Sequence, residues 1–222
     1  MRFRLVYEGE LKSGQKDPEA NQHDRLAQHK QSIRKVFHRQ LKHLWQTNKF
    51  LSERKEHPIH RTADHRPVGD GAAYFGPNEN EKIPLSDYTA SLYEENGYRF
   101  VPLVREETSL LCSLNILFLR RDTPGSVISA GDLDNRIKTL IDALRRPKSA
   151  NELRGNEIPA EGESPFYCLL EDDNLVTQLT VETDTLLDPP LAERELDRRQ
   201  VKLIITVELK PYNVTLFNLS FS

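Results

Sequence analysis

The spacing of apolar residues switches between two periods along this chain, and this switch constrains the fold more than any other sequence feature. Residues 2–8 alternate polar and apolar side chains, which is the period of a half-buried β-strand. From about Asp17 to Thr47 the apolar residues recur every three or four positions, the period of one amphipathic helix. The positions that follow this period are Leu26, Ile33, Val36, Phe37, Leu41, Leu44 and Trp45. We therefore expect a first strand followed by a long N-terminal amphipathic helix.

The rest of the chain contains more predicted strands than predicted helices. The segments with strand-like patterns are 97–105, 109–121, 166–170, 176–184 and 199–210. Segment 109–121 is almost continuously apolar, which is typical of an inner strand covered on both faces. Residues 55–90 are rich in Pro, Gly, Asn and charged residues and predict a loop. Because helices are few and do not alternate evenly with strands, we expect a mixed α/β or α+β fold rather than a doubly wound parallel sheet.

Composition limits the class of protein. The chain has 222 residues, of which 37% are hydrophobic and 29% charged, and this predicts one domain with a sizeable core. No apolar run approaches the roughly 18 residues of a membrane helix, and the first residues lack the apolar region of a secretory signal, so we expect a cytosolic protein. Cys112 and Cys168 lie in apolar runs, which predicts buried thiols rather than a disulfide.

The net charge of −3 conceals a basic segment. Residues 22–66 hold 11 Lys and Arg against four Asp and Glu, and they include all seven histidines. One side of the predicted long helix carries Arg34, Lys35, His38, Arg39, Lys42 and His43. This side is either an ordinary solvated helix surface or a surface that contacts DNA phosphates. The candidates for phosphate contacts are Arg34, Lys35, Arg39 and Lys42.

Residues 131–146 carry the first cluster of chemically informative side chains. Asp132 and Asp134 are two apart at the end of a predicted extended segment, where a period of two places both carboxylates on one face. A predicted helix follows, with Asp134 or Asn135 in position to cap it, and Lys138 lies one turn further on. Because adjacent carboxylates repel each other, a cation is expected between them. The alternative is a helix cap with Lys138 as an ion-pair partner of Asp134 or Asp142.

A second acidic cluster, formed by Glu171, Asp172 and Asp173, lies between two predicted strands. Taken alone, this cluster predicts a solvated turn. A Mg²⁺ site, however, needs carboxylates from more than one segment of the chain, because one dipeptide cannot fill an octahedron. The two clusters together therefore predict a metal site with an ammonium group beside it.

The same residues resemble the RusA family of Holliday junction resolvases, endonucleases that cut four-way DNA junctions. The shared pattern is D-x-D-N-x-x-K-x-x-x-D-A-L, followed after a spacer by E-D-D-x-x-V. Here it is matched by residues 132–135, Lys138, 142–144, 171–173 and Val176. The resemblance covers mainly residues 109–184. This chain is longer than members of the family commonly are, in the segment 17–96 and in the spacer 145–165.

The resemblance implies a compact mixed sheet with helices on its faces, in one nuclease domain over residues 1–222 with a helix-and-loop insertion at about 17–96. It implies a homodimer that acts on branched DNA with Mg²⁺, for which Mn²⁺ can substitute. The implied metal ligands are Asp132, Asp134 and Asp173, with Asp172 as the register alternative to Asp173, and Lys138 completes the catalytic set. The metal would activate a water molecule for phosphodiester hydrolysis, and Lys138 would offset the charge of the transition state.

Two other functions are compatible with these residues. A D-x-D motif after an apolar strand also occurs in nucleotide-sugar transferases, where it binds a metal diphosphate. The chain could also be a non-catalytic DNA-binding module that retains a nuclease fold.

Overall fold

The structure is a computed structural model that describes residues 1–13, 22–56, 82–120, 132–187, 200–215 and 218–221, without the side chains of residues 22–25 and 132. Its strands are β1 (Arg2–Glu10), β2 (Lys55–Glu56), β3 (Ile83–Pro84), β4 (Glu94–Glu95), β5 (Tyr98–Val104), β6 (Leu110–Arg120), β7 (Phe166–Leu170), β8 (Val176–Thr185) and β9 (Gln200–Pro211). Its helices are α1 (Gln22–Thr47), α2 (Lys49–Glu53), α3 (Leu85–Leu92) and α4 (Asp132–Leu144). Short 3₁₀ turns lie at Glu106–Thr108, Ala150–Leu153, Asp173–Leu175 and Leu219–Phe221.

The largest sheet has four strands in the order β1-β9-β6-β8. β9 pairs antiparallel with β1 and β6, whereas β6 and β8 are parallel. A second sheet has the order β4-β5-β7, with β5 and β7 parallel. The expectation of a mixed α+β fold is therefore confirmed.

The long strands lie where the sequence predicts them, but β6 is fully covered on one face only. Its position between β9 and β8 confirms an inner strand. Burial alternates along β6, and Asn115 is exposed. Covering on both faces is therefore a wrong prediction, because a run of apolar residues does not reveal how many layers lie over a sheet.

One broad core joins α1 to the sheets. The α1 residues Ile33, Phe37, Leu41 and Trp45 are buried at intervals of four, as the helical period predicts. They share a hydrophobic cluster with residues of β1, β6 and β9. The helix also covers the free edge of β1, because the Gln40 amide accepts from the backbone N–H of Val6 and donates to its carbonyl.

The predicted loop at 55–90 is partly wrong. Residues 57–81 lie outside the described part of the chain, but β3 and α3 occupy residues 83–92. Leu85, Thr89 and Ala90 of α3 are buried, which gives this short helix a packed side. Pro84 and the polar residues before it obscure that pattern in the sequence.

Two further expectations can be compared with the described residues. Cys112 and Cys168 are buried free thiols, and burial raises the pKa of each to about 12, so this prediction is confirmed. Among the described helices, none has both the length and the apolar character needed to cross a membrane.

Candidate active site at the two ends of α4

The first acidic motif lies inside α4. The helix begins at Asp132, so Asp132 and Asp134 are both helical residues. The expectation that they end an extended segment and share a face is wrong, because residues two apart on a helix do not face each other. Asp134 and Asn135 lie within the first turn instead of capping the helix. An acidic first turn is still favourable, since the positive end of the helix dipole lies there.

Asp134 and Lys138 are exposed on successive turns of α4. Their spacing of four places the carboxylate and the ammonium group on the same side of the helix. The opposite side carries the buried residues Ile137, Leu140 and Leu144, as the sequence predicts. The amphipathic character of α4 therefore presents this pair to solvent, where a polymer can reach it.

Asp142 has a structural role between two helices. Its side chain is 13% exposed and hydrogen bonds to Lys30 of α1. It also lies 3.7 Å from the guanidinium of Arg145, the residue that follows α4. Asp142 is thus bound by cations other than Lys138.

The second acidic cluster is held by basic residues after α4. Lys148 Nζ lies 2.7 Å from Asp172 Oδ2 and 3.0 Å from Asp173 Oδ1. Asp172 Oδ1 also accepts from the backbone N–H of Asn174 at 3.1 Å, and so caps the 3₁₀ turn. Desolvation acts to raise the pKa of Asp172, but the hydrogen bonds from Lys148 and Asn174 outweigh it and lower that pKa to about 2. The same two carboxylates raise the pKa of Lys148.

The two acidic clusters lie at opposite ends of α4. Asp173 Oδ1 is 3.9 Å from Nε of Arg145, which directly follows Leu144, the last residue of α4. Asp134 is in the first turn, and at about 1.5 Å per residue roughly 15 Å of helix separates it from Leu144. The contacts of the described side chains therefore do not bring Asp173 to Asp134.

The implied Mg²⁺ site needs carboxylates from both acidic clusters within reach of one ion. No group of three or more His, Cys, Asp or Glu side chains that could hold a metal occurs within the described part of the chain. The side chain of Asp132 lies outside the described part of the chain. The three-carboxylate site that the family resemblance implies includes Asp132, so in either register of Asp172 and Asp173 it stays a prediction.

Arg34 does not lie on an exposed basic face, and this prediction is wrong. Its side chain is 1% exposed and donates to the carbonyl oxygens of Asp142 at 2.9 Å and Arg145 at 3.1 Å. It also lies 3.2 Å from Glu152. His38 is buried as well, and its Nδ1 accepts from the backbone N–H of Tyr167. Because α4 and β7 pack beside α1, the buried side of the helix is wider than its apolar stripe.

The other predicted phosphate-binding residues remain nearer the surface. Lys35 Nζ lies 3.0 Å from Glu163 Oε1, and Lys42 Nζ donates to the carbonyl of Gly162 at 3.3 Å. Arg39 is exposed and its Nε donates to the carbonyl of Lys35. Contact of these three residues with DNA stays a prediction.

An aromatic cavity was missed by the sequence interpretation. It lies at the C-terminal end of α1 and includes Trp45, which the helical period assigns only to the core. Phe50, Tyr88 and Phe221 reach the same cavity from three other segments. No local sequence signal joins such distant residues. Comparisons of the chain with protein-family models, with curated proteins and with solved structures gave no match.

Proposed function

We propose that this protein is a RusA-like endonuclease that hydrolyses phosphodiester bonds of branched DNA, four-way junctions among them, in a Mg²⁺-dependent reaction. The sequence pattern around Asp132, Lys138 and Asp173 supports this proposal. The structural observation that carries it is the exposed pair of Asp134 and Lys138 on one side of α4.

The exposed pair suits phosphodiester chemistry. Charge accumulates on the phosphoryl oxygens in the transition state, and a nearby ammonium group such as that of Lys138 would stabilise it. A carboxylate four residues away can orient an attacking water molecule by accepting its hydrogen bond. Since the side chain of Asp132, one of the three implied Mg²⁺ ligands, lies outside the description, we assign the ion no step.

A homodimer is part of this proposal. Resolution of a four-way junction needs two symmetrical nicks, and a twofold dimer supplies two equivalent sites. Sedimentation of the free protein measures this directly, with a single dimeric species as the expected result and a monomer that cuts both strands as the contrary one.

One observation favours a second candidate, the non-catalytic DNA-binding module. Asp172 and Asp173 are engaged by Lys148 at the far end of α4 from Asp134. A protein with this arrangement and no nuclease activity would bind branched DNA without cutting it.

Strand cleavage of a labelled four-way junction separates the two candidates. The endonuclease predicts nicks with Mg²⁺ and none with EDTA, whereas the binding module predicts a shifted but intact junction in both. Asp134→Asn should slow nicking by roughly 10²-fold or more and leave junction binding unchanged. Asp184→Asn is the matched control, because Asp184 is an exposed aspartate on β8.

A further inference from the structure

The aromatic cavity at the end of α1 has the dimensions of a ligand site. Its volume is about 340 Å³, and it contains no residue of α4. Pockets for small molecules span roughly 300–1,000 Å³ and are lined mainly by apolar and aromatic side chains. Here the rings come from Trp45, Phe50, Tyr88 and Phe221. A flat, apolar-faced occupant is the shape that such rings favour.

The charged groups of the cavity are paired with one another. Arg54 Nε lies 2.6 Å from Glu56 Oε1, and Arg105 Nη1 lies 3.1 Å from Glu107 Oε2. The Tyr88 hydroxyl donates to the second oxygen of Glu107 at 3.1 Å. Two cations thus balance two carboxylates, so the cavity favours a neutral occupant over an anion.

Two side chains of the cavity wall carry spare hydrogen-bond donors. Trp45 and Arg105 are each 4% exposed, and both line the cavity. The indole Nε1 of Trp45 and the Nε of Arg105 are buried without a hydrogen-bond partner among the described residues. Both nitrogens are buried away from the cavity surface, so the aromatic rings, and not these donors, would recognise an occupant.

A basic groove continues from the cavity. The two share Phe50, Arg54 and Glu56. The remaining groove residues are Lys49, Glu53, Lys55 and Lys82. Among the described residues of the groove, four cations face two carboxylates, and such an excess attracts a phosphate backbone.

We propose that the cavity binds the base of an unpaired nucleotide while the groove binds the phosphates beside it. Proteins that bind single strands combine these two features, a stacking platform of aromatic rings and a positive groove. Bases at a branch point cost less to unstack than bases within a duplex. This inference extends the proposed function, and it rests on that function only for the statement that the bound strand is DNA.

The single tryptophan of the chain makes this inference directly measurable. Trp45 lines the cavity, so its fluorescence reports occupation of this site alone. The probes are a short single-stranded thymidine oligonucleotide and an abasic oligonucleotide of equal length. We expect saturable quenching by the first and little by the second, although both contact the groove. Equal quenching by the two, or anisotropy that shows binding without quenching, would overturn the proposal.

Two tyrosine variants give a second readout. Tyr88→Ala should raise the Kd for the thymidine oligonucleotide roughly 5-fold to 150-fold, the range for loss of one stacking side chain. Tyr93→Ala is the matched control, because Tyr93 is also half-buried but lines neither the cavity nor the groove. Equal effects of the two variants would count against the cavity. If Tyr88→Ala does not fold, the comparison of intact and abasic oligonucleotides on the wild-type protein decides.

The fluorescence test is independent of cleavage. Quenching without any nicking of a junction would leave this inference standing and remove the proposed endonuclease. Nicking without quenching would remove the inference alone. Quenching by free thymidine monophosphate with no binding of the oligonucleotide would instead identify a pocket for free nucleotides. That result would also overturn the inference.

Discussion

Lys148 Nζ lies 3.0 Å from Asp173 Oδ1, so the carboxylate assigned to a metal by the sequence pattern is bound to a lysine in the structure. The same ammonium group lies 2.7 Å from Asp172 Oδ2. This lysine comes from the spacer that distinguishes the chain from the RusA pattern. Two carboxylates of the second acidic cluster are therefore ion-paired locally, at the end of α4 that is remote from Asp134.

Replacement of Lys148 by alanine should raise the pKa of Asp172. In Lys148→Ala this pKa should rise from about 2 towards its ordinary value of 3.8, because the main hydrogen bond to the carboxylate is lost. Carbon-13 NMR titration of the carboxyl groups measures this. Lys202→Ala is the control, since Lys202 pairs with Glu8 on the four-stranded sheet. An Asp172 pKa that stays at about 2 in Lys148→Ala would contradict the pairing.

The same pair gives a pH dependence of unfolding with a defined sign. The pKa of Asp172 is lower in the folded than in the unfolded chain, so its stabilisation is complete above about pH 4 and is lost as the pH falls towards 2. The difference in free energy of unfolding between wild type and Lys148→Ala should shrink over that range. Its size is small, because the pair is largely solvent-exposed. A difference that grows towards low pH would have the wrong sign.

Arg34 should matter for stability rather than for DNA binding. Arg34→Ala leaves the carbonyl oxygens of Asp142 and Arg145 without this donor, although Glu152 keeps its pairing with Arg145, and we expect a loss of about 3 kcal/mol in the free energy of unfolding. Arg39→Ala, an exposed position on the same helix, should change it by less than about 0.5 kcal/mol. Denaturation in urea measures both. Equal stabilities of the two variants would show that Arg34 is not the buried link between α1 and α4.

The basic residues of α1 that lie near the surface should bind phosphates without reading sequence. Replacement of Lys35, Arg39 and Lys42 by glutamine should weaken all duplex substrates alike and reduce the salt slope by about 0.9 log unit per lost contact. Affinity is measured against salt at two protein concentrations. If this face instead contacts a partner subunit, the effect will depend on protein concentration. An unchanged slope at both concentrations would exclude the DNA contact.

Local patterns predicted most of the fold. The bounds of β7 were predicted correctly, and those of β9 lie within one residue of the prediction, because short apolar and β-branched runs are local features of the sequence. The burial of Arg34 could not be predicted, since its partners at 142, 145 and 152 approach α1 only through tertiary packing. The short helix α3 was missed because its packed residues follow a proline and a polar stretch.

The candidate site was less predictable than the fold. Asp134 and Lys138 are four apart on one helix, so their shared side follows from sequence. The prediction of an extended conformation for Asp132 is wrong because the helix begins three residues earlier than a cap at Asp134 would place it, and four earlier than a cap at Asn135. Lys148 could not be foreseen as the partner of Asp172 and Asp173, because the path of the spacer depends on the packing of α4 against β7.

The most direct test of the proposed endonuclease is the single-turnover rate at which Lys138→Ala nicks a four-way junction in Mg²⁺. The wild-type protein should nick the junction, and the variant should do so roughly 10²–10³-fold more slowly while its junction affinity and its unfolding transition stay unchanged. Lys202→Ala, with its lysine on β9, should nick at the wild-type rate. A Lys138→Ala protein that nicks as fast as wild type, or a wild-type protein that binds the junction and never nicks it, would contradict the account.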